Sequence, residues 1–152
     1  MAEDLKLKPI TILMADDDPD DQLMAKEAFE ENRMANVLKF VNDGQELLDY
    51  LHLQGKYNSE NAPKPGLILL DLNMPKKDGR TALQEIKSDS KLKRIPVIVL
   101  TTSKSDEDVL KSYDLGVSSF ITKPVTFEDL VKVTKEIGSY WFGIVVLPKE
   151  EN

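Results

Sequence analysis

Residues 67–70 read LILL, four apolar side chains in a row with no polar alternation. A strand with one face in water alternates apolar and polar residues, so an unbroken run this short belongs to a strand covered on both faces. Similar runs recur along the chain as ITILMA (10–15), VLKFV (37–41), VIVL (97–100) and a shorter SSFIT (118–122). Parallel strands buried on both faces need crossover helices between them, and the intervening segments have that character.

Asp18 and Pro19 supply an N-cap and a first-turn proline that open a helix over about residues 19–33. Asn42-Asp43-Gly44 makes a turn into QELLDYLH, with Leu47, Leu48 and Leu51 at helical spacing. Residues 55–66, GKYNSENAPKPG, read as an extended surface loop. KKDG leads into a helix carrying Leu83 and Ile86 on one face. Ser105, followed by Asp106, Glu107 and Asp108, suits a helix N-terminus and its dipole; that helix carries Leu110 and Tyr113 and stops at Gly116. Phe127, Leu130, Thr134, Ile137 and Trp141 form the stripe of the last helix. Five strand–helix units without a break give a doubly wound α/β domain around a mostly parallel sheet.

Composition narrows the chemistry. The chain has 152 residues, the size of one domain, and no apolar run near the roughly 20 residues that span a bilayer. It has no cysteine and one histidine, which excludes disulfides and thiolate metal sites, disfavours a His-rich zinc or copper centre and agrees with a cytoplasmic location. A net charge of −7 disfavours binding to a nucleic-acid backbone. Any divalent cation would be held by oxygen, which points to magnesium, manganese or calcium.

In doubly wound sheets, ligands bind beyond the carboxyl ends of the strands, where the strand order reverses. There the first strand delivers Asp16, Asp17 and Asp18, the third Asp71, the fourth Thr101, Thr102 and Ser103, and the fifth Lys123. Taken singly, each is an ordinary cap, β-former or surface lysine. Taken together, they form a convergent site. Crowded carboxylates repel one another unless a cation neutralises them. A hydroxyl and an ammonium complement a phosphoryl group, and a carboxylate can itself accept one as an acyl phosphate. The chain has no GxxxxGK[ST] loop for a nucleotide.

ILMADDD, LILLDLNMPKKDG, PVIVLTTS and SSFITKP, in that order, resemble the receiver domain of two-component response regulators over about Thr11 to Tyr140. The resemblance implies a flavodoxin-like fold with strand order 2-1-3-4-5. It implies Asp71 as the phospho-acceptor, served by a sensor histidine kinase. Asp16 and Asp17 become the acid pair for Mg²⁺ (or Mn²⁺), Asp17 directly and Asp16 mainly through water, and the Asn73 backbone carbonyl joins Asp71 in the metal shell. Thr101 and Lys123 would contact the phosphoryl oxygens, with the backbone N–H of Thr102. Phe120 stands where the family places an aromatic switch, commonly Tyr or His. Phenylalanine lacks the polar tip, so switching there would act through packing. In this family the Lys123–Pro124 bond is cis. Asp18 is left to cap the first helix.

The expected domain is a single receiver over 1–152, with its core at about 10–141, and residues 142–152 as a tail too short for an output domain. Output would then run through protein contacts, changed self-association or onward transfer of the phosphate, not an enzymatic reaction beyond slow loss of its own phosphate. The segment YWFGIVVLP (140–148) either folds back over the core or forms a homodimer contact. The long loop before the third strand, the DLNMPKKDG phrasing and this tail resemble stand-alone receivers that partner phytochrome-type histidine kinases. The alternatives are a magnesium-dependent phosphohydrolase with an aspartyl nucleophile and a receiver used only for binding. Against the former, the position two residues after Asp71 is Asn73, which is not a useful general acid.

Overall fold

The apolar runs become the strands of one parallel sheet. The computed structural model describes residues 10–32, 37–143 and 146–147. The strands are β1 (Thr11–Ala15), β2 (Val37–Val41), β3 (Leu67–Leu70), β4 (Val97–Thr101) and β5 (Ser119–Thr122). The helices are α1 (Pro19–Glu31), α2 (Gly44–His52), α3 (Gly79–Ser88), α4 (Asp106–Asp114) and α5 (Phe127–Gly143), with a short 3-10 turn at Leu92–Arg94. All pairings are parallel, and the order is β2-β1-β3-β4-β5, the one that the family resemblance implies.

The missing alternation in LILL follows from two packed layers. Ile68 and Leu70 join Leu13, Ala15, Val97 and Val99 under α2 and α3, where Leu47, Leu83 and Ile86 close the layer. Leu67 and Leu69 join Ile12, Met14, Ile98 and Leu100 against Ala25 and Phe29 of α1 and Ile137 of α5. Every residue of β3 and β4 is buried, so each face is apolar and alternation has no role. Asn32 fastens α1 to α5, its amide donating to Thr134 Oγ1 at 2.8 Å and to the Val131 carbonyl at 3.0 Å.

Capping residues set where the helices begin. Asp18 accepts from the Asp20 N–H, with Pro19 in the first turn. Asp43 caps α2, Asp78 caps α3 and Ser105 caps α4. Gly116 follows α4 with φ +96°, a conformation that a β-carbon disfavours. The Lys123–Pro124 peptide is trans, since the described residues contain no cis bond. In the tail, a β-carbon built on Gly66 would stand 3.3 Å from Leu147 Cδ1, so Leu147 lies back on the entry to β3, whereas Val146 is 93 % exposed. Ile144, Val145, Pro148 and the side chain of Phe142 lie outside the described residues.

Candidate functional site

β1 and β3 lie side by side in register, Ala15 opposite Leu70, so Asp16 and Asp71 leave the sheet as neighbours. Backbone hydrogen bonds carry the register past the strand ends: the Asp16 N–H reaches the Val41 carbonyl, and the Asp71 N–H reaches the Ala15 carbonyl, both at 3.0 Å. Both side chains are buried, Asp16 at 1 % exposure and Asp71 at 5 %. Asp17 follows on the exposed side. One carboxylate oxygen from each of Asp16, Asp17 and Asp71 lies within 4.8 Å of the others.

Asp71 is held on several sides. Its Oδ1 accepts the Thr101 hydroxyl at 2.8 Å and the Asn73 N–H at 3.1 Å, and its Oδ2 accepts from Lys123 Nζ at 2.9 Å. Lys123 reaches in from the end of β5, where its N–H pairs with the Thr101 carbonyl at 2.8 Å. The same ammonium stands 2.8 Å from Asp16 Oδ2 and 2.7 Å from Asp21 Oδ2. Burial opposes the charge on Lys123, yet the contacts with Asp16, Asp21 and Asp71 raise its pKa above that of an ordinary lysine.

Asp16 is in the opposite position. Its Oδ1 accepts the Asp18 N–H at 2.9 Å, while Oδ2 makes no aligned hydrogen bond and meets the Lys123 ammonium as an ion pair at 2.8 Å. Burial pushes the Asp16 carboxyl up to about 6, against the pull of Lys123. A buried carboxylate oxygen with no aligned hydrogen bond, beside two other carboxylates, is the donor set that a hard divalent cation suits. The residues present therefore fit a metal of the magnesium and manganese class.

A second layer ties the loops around this centre together. Arg80, in the first turn of α3, grips Asp108 of α4 with Nε and Nη2, each at 2.6 Å from a carboxylate oxygen. Its Nη2 also lies 3.3 Å from Asn73 Oδ1, and Ser103 Oγ donates to Asp108 at 2.6 Å. The Arg80 guanidinium holds the Asp108 carboxyl down to about 2, against partial burial. The clamp thus joins the loop after β3 to the loop after β4. Gly79, just before Arg80, has no room for a side chain: a β-carbon there would meet the Asp71 carbonyl oxygen at 2.2 Å and Leu72 Cα at 2.7 Å.

The structure brings together Asp16, Asp17, Asp71, Thr101 and Lys123, as the strand-end reading expects. Asn73 and Thr102 lie at the exposed rim, their side chains 3.5 Å apart. Phe120 is half-buried and packs on the α2–α3 core, and its backbone N–H donates to the Tyr113 hydroxyl of α4 at 3.1 Å. Asp18 is the cap of α1 and no part of the cluster. Sequence reasoning missed Asp21, Arg80 and Asp108. Asp21 sits in an acidic run that a turn and a cap already explain, and no sequence signal sets it apart from Asp20. Nothing in the sequence pairs Arg80 with Asp108.

The response regulator receiver domain model matches residues 12–135. Response regulator Rcp1 of Synechocystis sp. is 44 % identical over 140 residues, covering 92 % of this chain and 94 % of that protein. The crystal structure of the Mn²⁺-bound form of Rcp1 superposes with a TM-score of 0.84 over 93 % of this chain and 100 % of that one. The phosphorylated cyanobacterial phytochrome response regulator RcpA, 42 % identical, gives 0.86 over 93 % and 100 %. With its strand order, its strand-end acids and these likenesses, the chain belongs to the response regulator receiver domain family.

Proposed function

We propose that the chain is a phospho-accepting switch in which Asp71 takes a phosphoryl group from a phosphohistidine of a sensor kinase. One observation carries the reading: Asp71 stands at the end of a fully buried strand with a hydroxyl on one oxygen and an ammonium on the other. An Asp71 oxygen attacks phosphorus, the P–N bond breaks, and its electron pair leaves with the imidazole nitrogen. The products are an acyl phosphate and a free histidine. Thr101 and Lys123 already touch the carboxylate, so both are placed to hold the phosphoryl oxygens that replace its free charge.

Asp16, Asp17, Asp71 and the Asn73 carbonyl would hold Mg²⁺, which when bound neutralises charge on the phosphoryl oxygens. The added phosphoryl charge then biases the Thr101 and Lys123 contacts and, through them, the surface of α4 and β5. The Asn73 amide faces Arg80 and Thr102, and it offers no proton for hydrolysis in the manner of an aspartyl phosphohydrolase. The likeness to phytochrome response regulators supports a phytochrome-type kinase as donor, a protein as the downstream target and a cytoplasmic setting. The half-buried Leu147 supports a tail that covers the core, and the exposed Val146 leaves a contact between two copies of the chain to be tested by sedimentation.

Intact-mass measurement after incubation with acetyl phosphate, with and without Mg²⁺, tests the assignment. A metal-dependent gain of one phosphoryl group, released by hydroxylamine and absent in Asp71→Asn, is expected. Labelling retained in Asp71→Asn would refute the assignment of Asp71.

A further inference from the structure

Lys123 has three carboxylate neighbours, and one of them, Asp21, belongs to neither the acceptor nor the metal cluster. Taking Asp71 as the acceptor, we propose that Asp21 is a positioning residue: it anchors the Lys123 ammonium, which leaves Asp16 open to the cation and restrains Lys123 from the phosphoryl group.

The geometry is specific. An ammonium carries three N–H donors. Lys123 makes aligned hydrogen bonds to Asp21 at 2.7 Å and to Asp71 at 2.9 Å, whereas its contact with Asp16 Oδ2 at 2.8 Å is an ion pair out of hydrogen-bond alignment. Among the described residues, that oxygen is the buried side-chain atom without an aligned hydrogen bond. Asp21 therefore holds the ammonium in a direction that keeps it out of line with Asp16 Oδ2, with which it makes an ion-pair contact only. The space beside the ammonium is otherwise lined by Met14, Met24, Leu100 and Leu130, so its polar neighbours are these carboxylates. A phosphoryl group on Asp71 must draw Lys123 toward itself against the hold of Asp21.

An acid in the first turn of α1 has a simpler use, since it complements the helix dipole. Asp20, next to Asp21 and fully on the exposed side, supplies that use without touching Lys123 and makes a matched control.

The test uses the full chain as wild type, Asp21→Asn, Asp21→Glu and Asp20→Asn. Two affinities are measured by calorimetry: Mg²⁺ for the unmodified protein, and beryllofluoride, a mimic of the aspartyl phosphoryl group, at saturating Mg²⁺. Asp21→Asn is expected to bind beryllofluoride about two- to fivefold more tightly and Mg²⁺ more weakly by a similar factor, the range of a partly exposed ion pair. Asp21→Glu should return both values toward wild type, and Asp20→Asn should leave both unchanged. Equal affinities in Asp21→Asn and wild type, or the same shifts in Asp20→Asn, would overturn the inference while leaving Asp71 as acceptor. A wild type that binds no beryllofluoride and takes no phosphoryl group would remove the reading on which the inference rests, and the inference with it.

Discussion

The Thr101 hydroxyl donates to Asp71 Oδ1 at 2.8 Å across two adjacent strands, with both side chains buried. β3 and β4 are aligned with Leu70 opposite Val99, so each strand overruns that pair and presents a polar residue at its end. The hydroxyl is thus aimed at the carboxylate proposed to accept the phosphoryl group.

Thr101→Val keeps the shape of the side chain and removes the donor. The buried Asp71 oxygen then keeps the Asn73 N–H as its hydrogen-bond donor. A loss of about 1–2 kcal/mol in unfolding free energy is expected, read from urea midpoints. Thr101→Ser should recover most of it, and an unchanged midpoint for Thr101→Val would show that the bond contributes nothing.

The Arg80–Asp108 clamp predicts a pH signature. The Asp108 carboxyl is held down to about 2 from its ordinary 3.8, so the clamp stabilises the fold above the ordinary value and loses that contribution as pH falls through the lower one. Arg80 is 40 % exposed, which screens the pair and limits it to about 1 kcal/mol. The stability difference between wild type and Arg80→Met should be flat in the neutral range and shrink below about pH 4. Urea titrations at several pH values check it, and a gap undiminished near pH 2 would sink the idea.

Divalent metal should stabilise the protein, because oxygens of Asp16, Asp17 and Asp71 crowd within 4.8 Å of one another. At about a hundredfold excess over the dissociation constant, Mg²⁺ or Mn²⁺ should raise the melting temperature by about 5–10 °C. Asp17→Ala should lose most of that rise. A melting curve indifferent to both ions would show that the cluster holds no cation.

Gly79→Ala places a methyl group against the backbone of Asp71, the proposed acceptor. Overpacking of this kind costs about 1–3 kcal/mol, and the strain falls on the Asp71 carbonyl and Leu72. The variant should unfold at lower urea and accept phosphate more slowly than wild type. Full stability with normal labelling would show that the loop gives way freely.

Much of the fold was legible because its signals are local. Unalternating runs such as LILL mark strands covered twice, and Asp18-Pro19 and Ser105 with its acids mark helix starts. The acids, hydroxyl and lysine at the strand ends were legible because the topology sends every strand end to one edge. The clamp was not legible, since Arg80 and Asp108 are 28 residues apart and meet only once α3 and α4 are packed. Asp21 was hidden differently. It stood inside an acidic run already explained by a turn and a cap, and only the reach of Lys123 separates it from Asp20. The trans Lys123–Pro124 bond differs from what the family resemblance implied, and no local signal in the sequence distinguishes the two isomers.

The Tyr113 hydroxyl that receives the Phe120 N–H lies over the outer margin of β5, which has a strand neighbour on one side only. An uncapped donor at that margin would invite a further strand to dock and lengthen the sheet. With the phenol in place, the sheet ends in a side chain instead of an open backbone group at this point. A partner that meets the chain there must read the exposed ring of Tyr113 and its neighbour Leu110, and recognition becomes a matter of surface shape rather than strand addition.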